Sequence, residues 1–205
     1  MTHTLHRKGD RDSLVEDHVL LAMAATGITH KGSAETKKKL FEILARYPHA
    51  NCGDVKTGSL YNADFDSIHA GFQDTSVVHY VFPDKETVIK LLQELKEAEL
   101  GLSVVITGLF DHTQEACQKS GLSIHTVEYS GGIWGRTDKL PDGKVLEITT
   151  MCGHGLVAAN LVLDMVEKVR RGRKTLQEAG AEIAGPCLCG IFNPRRAEQL
   201  LSKLV

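Results

Sequence analysis

The chain has 205 residues, 42% of them hydrophobic and 24% charged, with 24 Lys plus Arg against 26 Asp plus Glu for a formal net charge of -2. This size and a mean hydropathy of -0.14 describe an ordinary folded protein able to bury a core without disulfides or a metal, and they exclude disordered and fibrous classes. The balanced charge argues against a nucleic-acid partner, and no apolar run approaches the ~18 residues of a membrane span. Five cysteines, an odd number, do not form a fully paired disulfide framework, and the start MTHTLHRKGDRDS lacks the apolar stretch of a signal peptide. The expectation is a cytoplasmic chain acting on a small-molecule substrate, with no membrane or nucleic-acid partner and with a homo-oligomer left open.

In chain order, Ser13 with Glu16 reads as a capping box opening a helix with apolar positions Leu14, Val15, Val19, Leu20 and Met23, closed by Gly27. A second helix is predicted from Ser33 to Tyr47, stopped by Pro48. The polar, Gly-containing stretch from Asn51 to Asp74 reads as a long loop. Then come a strand over Ser76–Phe82, a helix capped by Asp84 and closed by Gly101, and a strand over Ser103–Leu109. A short helix capped by Asp111 leads to a further strand over Ser123–Ser130. After a Pro-Asp-Gly turn at 141–143, the alternating KVLEITT at 144–150 predicts another strand. Leu156–Val169 reads as a buried helix with basic residues at its end, and Asn193-Pro194 opens a terminal helix.

The fold class implied is α/β: a mixed sheet of about four to five strands with helices packed on it, a ferredoxin-like or related sandwich core with helical N- and C-terminal segments. The organisation expected is one domain over 1–205, with a helical segment 1–50, a loop 51–75, a strand-helix core 76–150 and a helical segment 151–205.

Two segments carry candidate chemistry. Met151-Cys152-Gly153-His154-Gly155 stands between a predicted strand and a predicted helix, where exposed backbone N–H groups and the helix N-terminus favour an anion and lower a thiol pKa. Cys152 is therefore a candidate nucleophile, acid/base group or metal ligand, with Gly153 and Gly155 binding a cofactor or substrate. In Gly185-Pro186-Cys187-Leu188-Cys189-Gly190, two sulfurs one residue apart point to shared metal coordination rather than to a strained mutual disulfide. Cys152, Cys187 and Cys189 together would leave one corner of a [4Fe-4S] cluster open to a small anionic substrate; with His154 they would close a zinc site of Cys3His type. Cys52 is a possible further ligand, and Cys117 reads as a packing residue. His154 or His112 is a candidate general acid/base, and Arg136 in YSGGIWGR would hold a carboxylate or phosphate. His79 and His125 read as packed strand residues.

MCGHG resembles the segment around the catalytic cysteine of the proline racemase family, and more loosely the CGNG segment of diaminopimelate epimerase. The resemblance covers five residues, and the CLCG turn has no counterpart in it. It implies Cys152 as a thiol acid/base and a glycine-rich helix start that binds a substrate carboxylate. The readings that follow are an iron-sulfur protein with lyase- or isomerase-type chemistry, a metal-independent cysteine isomerase or thiol transferase, and a non-enzymatic ligand-sensing module.

Overall fold

The computed structural model describes residues 3–205. Five strands form one sheet: β1 (His18–Met23), β2 (Asn51–Asp54), β3 (Gly58–Ser59), β4 (Val78–Phe82) and β5 (Ser103–Thr107). Their order is β3-β2-β4-β1-β5. Every pairing is antiparallel; His18 faces Phe82 on one side of β1, and Val19 faces Thr107 on the other. Helices cover both faces, giving an α/β fold with helical segments toward both ends of the chain.

Strand alternation sorts the two cores. Leu20, Ala22, Cys52, Val78, Tyr80 and Phe82 point to one face, where they meet α2 (Ser33–Ala45), α3 (Phe65–Ala70), α4 (Lys85–Ala98) and α5 (Phe110–Lys119). Val19, Leu21 and Val81 point to the other face, against α6 (Gly143–Thr149), α7 (Ala159–Arg170), α8 (Leu176–Ala184) and α9 (Pro194–Ser202). Local sequence explains the helix starts. Asp84 accepts from the Thr87 N–H at α4, Thr175 and Glu178 form a capping box at α8, and Asn193 precedes Pro194 at α9.

Four expectations are corrected. The predicted Ser13–Gly27 helix is a single turn, α1 (Arg11–Leu14), capped by Asp10, followed by β1. Val19 to Ala22 are all fully buried, so β1 shows the unbroken apolar run of a strand covered on both faces and no alternation to betray it. The 51–74 loop contains β2, β3 and α3. Residues 144–150 are helical as α6, with Val145 and Ile148 on the buried side at helical spacing and Asp142 capping. Residues 123–130 run without ladder pairing, in a largely exposed stretch where Tyr129 and Trp134 are each 84% exposed.

The N-terminal segment is tied down by a buried ionic knot. The Asp17 carboxylate accepts from Arg196 Nη1 at 3.0 Å and from Asn193 Nδ2 at 3.1 Å, and it pairs with Arg7 Nη1 at 3.2 Å. Arg196 also donates to Ser13 Oγ at 2.9 Å and to the Lys8 carbonyl at 2.5 Å, and Arg7 reaches the Ile191 carbonyl. Asp17 and Arg196 are buried with fully covered side chains. Removing one member leaves buried charge uncompensated, so Asp17→Ala is expected to cost about 3–5 kcal/mol, read by urea unfolding. Asp17→Asn, which keeps one acceptor, is expected to cost less.

One residue on from Asp17, His18 Nε2 meets His112 Nδ1 at 3.1 Å, the rings stacked 5.3 Å apart, while His18 Nδ1 is buried without a hydrogen-bond partner. Burial, reinforced by His112, lowers the His18 pKa to about 4 against the opposing pull of Asp17, Asp84 and Glu86. Below pH 6.5 the unfolded chain takes up a proton that the folded chain refuses until about pH 4. Stability should therefore fall on acidification across that window, by up to about 1.4 kcal/mol per pH unit for this group. Urea midpoints measured between those limits are expected to vary less steeply with pH in His18→Leu.

Candidate metal centre

Three segments meet on the α6–α9 side of the sheet: the turn at residues 3–6, the turn 151–155 between α6 and α7, and the turn 187–190 between α8 and α9. Glycines allow the approach. A Cβ at Gly153 would overlap the His3 carbonyl carbon and oxygen, so only glycine lets the N-terminal turn lie directly on Cys152-Gly153-His154. Gly190, at φ +83°, lies against the backbone of Cys52 and Gly53 in β2, which seats the Cys189 turn on the sheet.

The result brings a ring nitrogen of His3, a ring nitrogen of His154 and Cys189 Sγ all within 4.8 Å of one another. Cys189 Sγ lies 3.5 Å from His154 Nδ1, and the His3 and His154 rings stack at 4.6 Å. Cys189 is buried, His3 half-buried and His154 exposed, so the group spans the protein boundary. His79 of β4 packs edge-on to His3 at 5.5 Å, is only 2% exposed, and holds its Nδ1 buried without a hydrogen-bond partner. Burial, with His3 adding, lowers the His79 pKa to about 3, so this ring is neutral. Burial likewise lowers the His3 pKa.

The expected three-cysteine iron-sulfur site is corrected: the group with converging ligand atoms is two histidines and one cysteine. The buried thiols of Cys152 and Cys187 adjoin Cys189, with Cys187 Sγ 3.9 Å from Cys189 Sγ. Cys152 hydrogen-bonds to Cys187, and that bond together with burial raises the Cys152 pKa. Contact with Cys152 lowers the Cys187 pKa, but contact with Cys189 and burial outweigh it and leave Cys187 pushed up to about 11. The Cys189 pKa is lowered by its contact with Cys187 against the opposing effect of burial. At Cys152 the Leu156 and His154 N–H groups oppose the rise without outweighing it.

Other expected site residues are placed as follows. Cys52 faces the opposite core, its thiol pushed up to about 12 by burial. His112 pairs with His18. Arg136 is an exposed side chain held by Asp138 at 2.8 and 2.9 Å. Gly153 and Gly155 line, with Cys152, an open cavity of about 340 Å³. Sequence reading passed over His3 altogether and left His79 as a packed strand residue; the only local signal for His3 is its place among 10 histidines.

No family model, no curated protein and no solved structure matches this chain.

Because the His3 carbonyl occupies the space a Cβ would need, Gly153→Ala is expected to lift the N-terminal turn off His154 while the strand pairings persist. Histidine ring NMR resonances should report it, with His3 and His154 moving and His18 unaffected.

Proposed function

We propose that this chain binds a single metal ion of the zinc class through His3, His154 and Cys189. The observation that carries this reading is the convergence of those three donor atoms within 4.8 Å, contributed by segments far apart in sequence. Two imidazoles and a thiolate suit zinc, and three protein ligands leave a fourth position for water or a small ligand. A bound zinc ion would supply Lewis acidity and a water of lowered pKa there. Around it, the chain's own groups have distinct work: Cys187 lies against the Cys189 sulfur, and His79 packs against the His3 ring. Such groups hold ligand orientation, and losing one in known metal sites costs roughly 10–100-fold in affinity.

The test is metal titration of the purified chain. Zinc should bind at one equivalent, and Co(II) in its place should give a tetrahedral visible spectrum with a thiolate charge-transfer band. His154→Ala and Cys189→Ala should each weaken zinc by more than the roughly 100-fold upper value for outer-shell partners. Cys117→Ala should leave the affinity unaltered. Absence of zinc binding, or equal affinity in all three variants, overturns the proposal.

A further inference from the structure

The cavity of about 340 Å³ at the turn that carries His154 is lined by His6, Leu146, Thr149, Val157 and Ala159 together with Cys152, Gly153 and Gly155, the residues flanking His154. It shares two segments with the ligand group. The N-terminal turn supplies His3 to the ligand group and His6 to the cavity lining, and the 151–155 turn supplies His154 to the ligand group and Gly153 and Gly155 to the lining. No Lys, Arg, Asp or Glu is among the lining residues, so nothing there compensates a charged ligand. Thr150, also on the wall, has its hydroxyl engaged already, donating to the Leu146 carbonyl at 2.6 Å and accepting from the Lys8 N–H at 3.0 Å. The hydroxyl of Thr149 is turned toward the Leu146 carbonyl as well, at 3.5 Å. His6 Nδ1 is held at the rim by Ser130 Oγ at 3.1 Å. What the cavity offers a ligand is mainly apolar contact.

Resting on the metal assignment above, we infer that this cavity receives the uncharged aliphatic body of a small molecule whose polar head occupies the open metal position. The class is a short-chain compound, about four to six carbons in the body, bearing one metal-binding oxygen or sulfur function. Apolar burial selects the body and the metal selects the head, so chain length governs affinity once the head is fixed.

Straight-chain hydroxamates serve as probes on the zinc-loaded full chain: acetohydroxamate, butyrohydroxamate and hexanohydroxamate, with affinities read by calorimetry. Each methylene seated in the cavity is expected to tighten binding by roughly fourfold. Filling the cavity with Ala159→Leu or, independently, Thr149→Leu should bring the hexano-to-aceto affinity ratio close to one, with zinc stoichiometry confirming that each variant is folded. Equal affinity of all three probes for the native chain overturns the inference, and so does a length dependence that survives in both filled variants. A chain that binds no zinc fails at the metal assignment instead, and the stoichiometry separates that outcome from the others.

Discussion

The Asp17 carboxylate is the constraint on which the arrangement of this protein depends. It sits just before β1, at the start of the sheet, and gathers Arg7 from the N-terminal segment and Arg196 and Asn193 from the opening of α9. A segment outside the regular elements has little of its own to hold it against solvent and chain entropy. Here two guanidinium groups and an amide fasten it, and Arg7 reaches further to the Ile191 carbonyl, directly beyond the Cys189-Gly190 turn. The same knot that secures the N-terminal residues therefore also registers them against one of the turns that supply a ligand atom.

From that registration follows the electronic character of the centre. The two turns bring three sulfurs near one another, yet their surroundings favour the thiolate at Cys189 and disfavour it at Cys152 and Cys187. Burial disfavours the charged imidazole at His3 and His79, which suits ligand nitrogens. A harder, nitrogen-rich donor set with one sulfur emerges, where cysteine spacing suggested a soft, sulfur-rich one.

Much of the scaffold could be read from sequence because its signals are local. The capping aspartate at α4, the Asn-Pro start of α9 and the apolar stripe of α2 each act over a few residues, and the structure carries all three. Where long-range burial decides, local pattern misleads: β1 is covered on both faces and so looks like part of a helix, and α6 shows strand-like alternation over a span too short to settle the period. The centre divides in the same way. The glycine-flanked Cys152-His154 and Cys187-Cys189 turns stand out in sequence, and the fold places them side by side. His3 does not stand out, since nothing around it marks a ligand; only the tertiary tie through Arg7 and the missing side chain of Gly153 bring it to His154.

The ligand residues stand at positions 3, 154 and 189, so coordination would join points that enclose nearly the whole chain. An ion there would act as a crosslink closing a very long loop, of the kind that restricts the unfolded ensemble far more than the folded one. The protein's resistance to unfolding would then scale with the free-ion concentration around it, through mass action. With the sheet built from residues between positions 18 and 107, such a tie would act as a clasp at one face of the sheet, drawing its three ligands from turns and none from a strand.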